Sequence, residues 1–205
     1  MDRILLTHSL LSSWLYALKG NPYEDATTER DPMSEFMATL RRDPTPTTEA
    51  MQRGIDFENL VTDIVVGRGD RSNKWYDAAN IVAADVRGGL LQYRAKKPIE
   101  VQGVPLLLYG RLDCLKAGNV IDIKFSGSYD RGKYITSTQH PVYMELIPEA
   151  QKFTYIISNG SDVWHESYFR EETPSIYPVI SDFLDWLRAV DLLQLYCEKW
   201  KASWF

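Results

Sequence analysis

Two aspartates and a lysine are spaced in this sequence as a metal-assisted reaction would need them. Asp113 ends one apolar run, Asp122 and Lys124 lie in the next, and the turn-forming segment Lys116-Ala117-Gly118-Asn119 separates the runs. This pattern predicts a β-hairpin. If the turn is centred between its two middle residues, Asp113 lies opposite Asp122, with Cβ atoms about 5 Å apart. Two carboxylates at that separation repel each other, so we expect a cation between them.

The ligand types indicate which cation. Carboxylate oxygens, with a backbone carbonyl and water nearby, suit Mg²⁺ or Mn²⁺ better than zinc or copper. Alternation along the hairpin places the charged residues Arg111, Asp113, Asp122 and Lys124 on one face. The opposite, core-facing side would hold Leu106, Leu108, Gly110, Leu112, Cys114, Ile121, Ile123 and Phe125. The alternative is a register shifted by one residue, which would leave the aspartates as solvated hairpin carboxylates.

Two predicted helices carry further polar residues. The first begins at Thr47 or Thr48, runs about five turns to near Gly67, and carries Glu58. Gly54 lies one turn before Glu58, where a glycine would let another backbone approach the same surface. The second helix runs from Pro148 to Ile157 and presents Gln151 and Tyr155 four residues apart, on one face.

The remaining segments predict an α+β fold, with a central mixed β-sheet flanked by helices. Helices are expected over 9–18, 33–42, 76–86 and 176–195, and strands over 90–95, 99–102 and 162–170, with loops over 21–31 and 126–146. We expect a single domain over residues 1–205. Within it, residues 1–45 form a helical N-terminal extension, residues 47–170 the core, and residues 174–205 a C-terminal helix.

Composition narrows the class of protein. The 205 residues carry a net charge of −5 and 44% apolar residues, typical of an ordinary globular domain and unlike a protein that coats nucleic acid. No span reaches transmembrane length, no signal peptide is expected, and no membrane partner is predicted. Cys114 and Cys197 lie too far apart in sequence for a metal motif, which favours buried thiols in the reducing cytoplasm.

Four short motifs occur in order along the chain. They are Gly54-Ile55-Asp56-Phe57-Glu58, Gly110-Arg111-Leu112-Asp113, Asp122-Ile123-Lys124 and Gln151-Lys152-Phe153-Thr154-Tyr155. Together they resemble the PD-(D/E)XK nuclease superfamily, and within it the RecB-type and phage lambda exonuclease group. The resemblance implies a restriction-endonuclease-like core.

The same resemblance implies residue roles. Glu58, Asp113, Asp122 and the Ile123 carbonyl would bind Mg²⁺ or Mn²⁺, and Lys124 would position the attacking water. Gln151 and Tyr155 would organise the site and contact the DNA strand. RecB-type members often have histidine in place of Glu58, and some relatives carry a cluster-binding cysteine set that this chain lacks.

The implied activity is a metal-dependent deoxyribonuclease, an exonuclease of phage or bacterial recombination or repair. Its substrate would be linear DNA, double- or single-stranded, and a homo-oligomer or a recombination protein is a further expected partner. Two alternatives stay open: a restriction-like endonuclease, and a non-catalytic DNA- or protein-binding module that retains the fold.

The segment after the hairpin combines cations with aromatic rings. Arg131 and Lys133 alternate with Tyr129 and Tyr134, a combination that binds single strands in other proteins. The alternative is an ordinary solvated loop. His140 and His165 are not expected to be metal ligands, because neither has another ligand-type residue at a useful spacing.

Overall fold

The computed structural model describes residues 3–19 and 31–202. Its helices are α1 His8–Lys19, α2 Pro32–Arg41, α3 Glu49–Val65, α4 Tyr76–Val86, α5 Gln139–Leu146, α6 Tyr177–Ala189 and α7 Leu193–Lys199. Its strands are β1 Ile4–Leu6, β2 Leu90–Val101, β3 Val104–Lys116, β4 Asn119–Phe125, β5 Lys152–Ser158 and β6 Val163–Phe169. The loop predicted over residues 21–31 lies outside the described residues except for Asp31, which caps α2.

The strands of the described chain form one mixed sheet of six, flanked by helices, as the sequence predicts. β2 runs antiparallel to β3 along nearly its whole length. On its other side β3 pairs in parallel with β1 near its start and antiparallel with β4 near its end. β5 then pairs in parallel with β4, and β6 antiparallel with β5. The predicted α+β fold is confirmed.

The hairpin register is also the predicted one. Cys114 pairs with Ile121, and Lys116 with Asn119, so the turn is centred between Ala117 and Gly118. The β3–β4 ladder stops at Cys114, whereas the β1–β3 ladder ends at Leu108. Residues 109–113 of β3 therefore have no ladder partner on this side within the described chain. We call this gap, between the end of β1 and the middle of β4, the fork.

The prediction that the apolar residues of β3 all share one face is wrong, because the alternation of side chains breaks at Asp113. Leu112 belongs to the larger core cluster, whereas Cys114 belongs to the smaller one. The β2–β3 ladder skips Asp113 and the residue that faces it, Gln92, which has a left-handed φ of 52°. Both strands change face at this point, a local twist that apolar spacing does not reveal.

Two helical layers cover the sheet. The smaller cluster packs α3 and α4 on β4 through residues such as Phe57, Val82 and Ile121. The larger cluster joins β1 and the remaining helices, with Trp14, Phe183 and Tyr196 in its interior. Thr48 caps α3 by accepting a hydrogen bond from the Met51 amide at 3.2 Å, as predicted.

The secondary structure differs from the prediction in five places. Residues 152–157, predicted as part of a helix, belong to the buried strand β5, and the long loop predicted over 126–146 contains α5. The predicted C-terminal helix is broken after Ala189, strands 90–95 and 99–102 are one strand, and β1 was not predicted. A short apolar run such as Phe153–Ile157 suits a buried strand and a buried helix equally well by periodicity.

Within the described ranges, no helix combines the length and apolarity needed to cross a membrane.

Candidate active site

The two predicted aspartates meet at the fork. Asp113 Oδ2 accepts a hydrogen bond from the Ile123 backbone N–H at 2.8 Å, so its side chain replaces the ladder that β3 and β4 lose there. Asp122 is 6% exposed and lies on β4 one residue before Ile123. The hairpin therefore places both carboxylates beside the same gap in the sheet.

Lys124 pairs with Asp122. Its Nζ lies 2.8 Å from Asp122 Oδ2, although that buried oxygen accepts no well-aligned hydrogen bond. Burial acts to lower the pKa of Lys124, but the charges of Asp122 and Asp113 and the close contact with Asp122 outweigh it, so the pKa is raised. Lys124 is therefore a protonated cation at neutral pH in the metal-free protein.

Neighbouring carboxylates oppose the ionisation of Asp113 at the fork. Burial, followed by the charges of Asp122 and Glu58, raises the pKa of Asp113 well above its usual range. Burial and like charges both disfavour the ionised form of a carboxyl. Lys124 is the cation that opposes them, and it does not cancel the effect on Asp113.

Glu58 is half-buried on α3 and is held by a hydrogen bond from the Gln92 side chain to its Oε1. Among the described residues, no three His, Cys, Asp or Glu side chains are grouped closely enough to hold a metal ion. The predicted three-carboxylate set is thus not assembled as a cluster. A Cβ at Gly54 would meet no atom of the described residues within 4 Å, so none of them makes the close approach expected there.

The helix that contacts Asp122 is α5, which was not predicted. Gln139 on α5 is 4% exposed, and its Nε2 donates to Asp122 Oδ1 at 2.5 Å. Tyr143, four residues later, donates from its hydroxyl to the Arg111 carbonyl at 2.9 Å. Gln139 and Tyr143 have the same spacing as Gln151 and Tyr155, so the signal was present in the sequence at a second position.

Gly110 explains how α5 comes so close. A Cβ at this position would lie 2.9 Å from Leu146 Cδ1 and would clash with the ring of Tyr143. The glycine of the Gly110-Arg111-Leu112-Asp113 motif therefore gives α5 room to pack on β3. That packing brings Gln139 within reach of Asp122.

Gln151 and Tyr155 do not occupy the predicted positions. Tyr155 lies on β5 in register with Asp122, but it is wholly buried, stacked on Tyr134 with ring centroids 4.4 Å apart, and cannot contact DNA. Gln151 precedes β5 and lines a separate pocket of about 480 Å³ at the hairpin turn. The prediction that Gln151 and Tyr155 share one face of a helix is wrong, because Tyr155 lies on strand β5 and Gln151 lies just before it.

The loop with Arg131 and Lys133 is anchored to Glu166 of β6. The Glu166 carboxylate accepts hydrogen bonds from the Tyr129 hydroxyl at 2.5 Å, from the Gly132 and Tyr134 amides at 3.1 and 3.2 Å, and from the Tyr168 hydroxyl. Burial acts to raise the pKa of Glu166, but these donors outweigh it and the pKa is lowered. The loop is thereby ordered, with Arg131 and Lys133 exposed.

His8, the first residue of α1, is a further site residue that was not predicted. Burial lowers its pKa to about 4, opposed by the charge of Asp122 and reinforced by that of Lys124, so the imidazole is neutral at pH 7. His8 lines a pocket of about 220 Å³ together with Arg111 and Tyr143. His140, by contrast, stacks on Tyr168, and His165 Nε2 lies 2.7 Å from Asp85 Oδ2. Neither histidine is therefore placed with Asp113 and Asp122.

Comparisons with known proteins define the fold but not the activity. No protein-family model matches this sequence, and no curated protein matches it. Among solved structures the chain is similar to one described as the crystal structure of SSO0001, with a TM-score of 0.52 and 14% sequence identity. The match covers 92% of this chain and 77% of that one. At this identity the likeness supports a shared fold alone.

Proposed function

We propose that this chain is a metal-dependent deoxyribonuclease that hydrolyses DNA phosphodiester bonds, an exonuclease of phage or bacterial recombination or repair. The observation that carries the proposal is the placement of Asp113 at the fork, where it accepts a hydrogen bond from the Ile123 amide at 2.8 Å beside the buried Asp122, whose charge acts to raise the pKa of Asp113. Folding brings together carboxylates that repel each other, an arrangement that a divalent cation would relieve. Structural stability alone gives no reason for it.

The residues at the fork fit a hard cation. Asp113, Asp122 and the Ile123 carbonyl are oxygen donors of the type that Mg²⁺ and Mn²⁺ prefer, with Glu58 as a further or water-mediated ligand. Asp122 Oδ2 is buried and accepts no aligned hydrogen bond, and because a carboxylate oxygen has two lone pairs, one would remain for such an ion beside Lys124 Nζ at 2.8 Å. When bound, the cation would supply an activated water near neutral pH and neutralise charge on the phosphate.

The other residues have roles that follow from their contacts. Gln139 holds Asp122 Oδ1 and fixes the orientation of that carboxylate. Lys124, protonated beside Asp122, orients the attacking water and offsets the negative charge that develops on the phosphate. The ordered loop with Arg131 and Lys133 would contact the DNA backbone.

Two further expectations belong to this proposal. Free thiols at Cys114 and Cys197 suit a protein that works in the cytoplasm. A homo-oligomer or a recombination protein would be a partner besides DNA.

The test is digestion of matched linear and circular DNA with Mg²⁺, with Mn²⁺ or with a chelator. We expect metal-dependent loss of the linear DNA and survival of the circle. Cleavage of the circle would instead identify an endonuclease. DNA binding without metal-dependent cleavage would identify a non-catalytic module and overturn the proposal.

A further inference from the structure

Two arginines face each other across β2 and β3. Arg94 pairs in register with Arg111, and both side chains are exposed. Lys96, also exposed, lies two residues further along β2 and therefore on the same face as Arg94. We call Arg94, Lys96 and Arg111 the strand-face patch.

The patch is electrostatically unfavourable in the isolated protein. Like charges directly opposite each other on one sheet face repel and destabilise the pairing. None of the three patch side chains forms an ion pair with an acidic residue in the described part of the chain. The nearest acidic residue on the same face of β2 is Glu100, towards the far end of the strand. An external anion would relieve the repulsion.

The patch adjoins the candidate active site. Arg111 precedes Asp113 by two residues on β3, just before the point at which the strand changes face. Arg111 also lines the pocket of about 220 Å³ that His8 and Tyr143 share beside the fork. Tyr109, which pairs with Lys96, lines the same pocket and adds an aromatic ring to the cations. The surface is therefore continuous with the site.

We propose that the strand-face patch binds the phosphate backbone of the DNA and directs the strand to be cut towards the fork. The inference rests on the proposed nuclease function and adds a surface that the motifs do not include. Neutralising phosphates with arginine and lysine releases counterions, so each contact adds to the salt dependence of binding. The role of the patch can therefore be measured as a salt slope.

The experiment measures the affinity of a fluorescent DNA duplex by anisotropy at several salt concentrations, in chelator so that no cleavage occurs. For Arg94→Ala/Arg111→Ala we expect weaker binding and a log–log salt slope reduced by about 1.8, at about 0.9 for each lost duplex contact. With a single-stranded oligonucleotide the reduction is about 1.4, at about 0.7 for each contact. Because the substitutions remove a repulsion, the unfolding temperature should be unchanged or higher.

The control is Lys199→Ala/Lys201→Ala, which removes the same charge from exposed positions at the C-terminal end of the described chain. It should keep the wild-type slope. If the arginine variant keeps that slope too, or if the control loses as much, the inference is overturned while the nuclease function stands. If the wild type hydrolyses no DNA and binds none, both fail. Should the arginine pair not fold, Lys96→Ala must lower the duplex slope by about 0.9.

Discussion

Gln139 and Gln151 each precede a tyrosine by four residues. The structure places Gln139 against Asp122, whereas the family resemblance assigns that role to Gln151. Gln139 is buried and donates to Asp122 Oδ1 at 2.5 Å, whereas Gln151 is exposed and reaches only the Glu149 carbonyl at 3.5 Å. Replacing each by alanine therefore makes a matched pair of variants. The substitution is the same, and the contacts that it removes differ.

Gln139→Ala should destabilise the protein measurably. It removes a hydrogen bond to a buried carboxylate, and the loss of a hydrogen bond to a charged group costs about 1.5–3 kcal/mol. At roughly 2–4 °C per kcal/mol for a domain of this size, the unfolding temperature should fall by about 3–12 °C. Gln151→Ala should change stability by less than about 0.5 kcal/mol, as expected for an exposed side chain.

The assay combines thermal unfolding with the initial rate of Mg²⁺-dependent hydrolysis, measured well below both unfolding temperatures. We expect Gln139→Ala to lose activity, because Asp122 is no longer oriented, and Gln151→Ala to keep it. The reverse order, with Gln151→Ala the less active variant, would refute the assignment of α5 to the site.

Three further predictions concern the carboxylates and the lysine. In metal-free protein, the contribution of Asp113 to stability is greatest below pH about 4, near the pKa of an unfolded aspartate, and is lost as pH rises through its raised folded-state pKa. Asp113→Asn in chelator should therefore unfold at a higher temperature than wild type at mildly alkaline pH, and an unchanged melting curve would contradict the repulsion. Glu166→Gln should lower the free energy of unfolding by about 1.5–3 kcal/mol and increase proteolysis within residues 126–138, because the loop loses its charged acceptor. Equal proteolysis of variant and wild type would contradict the role of Glu166 in holding this loop. Lys124→Ala should lower kcat far more than it changes DNA affinity, and Lys124→Arg should not restore the rate; cleavage by Lys124→Ala at the wild-type rate would contradict the assigned role.

The hairpin was predictable because its information is local. The turn residues Lys116–Asn119 and the flanking apolar runs determine the register from Cys114–Ile121 to the turn, which brings Asp113 and Asp122 to the point where the two strands separate. The cap and length of α3, and with them the position of Glu58, follow from equally local signals. The overall α+β class follows from the order of such segments.

The errors have a different physical origin. Whether residues 152–158 form a helix or a strand depends on a free edge of β4 that this segment can join, which no local pattern encodes. Because that segment was predicted as a helix, the glutamine–tyrosine pair of the site was assigned to Gln151 and Tyr155, and the pair on α5, Gln139 and Tyr143, was not considered. His8 was missed for a related reason, since it reaches the fork only because β1 pairs with β3 some 100 residues later in the chain.

In the function proposed above, Asp122 holds a divalent cation at which DNA is hydrolysed. The most direct test compares the initial rate of hydrolysis of linear duplex DNA by wild type and by Asp122→Ala at saturating Mg²⁺, with unfolding curves to confirm that both are folded. We predict a metal-dependent wild-type rate and a loss of about a thousand-fold or more in the variant. A folded Asp122→Ala protein that cleaves DNA at the wild-type rate would show that Asp122 does not hold a catalytic cation.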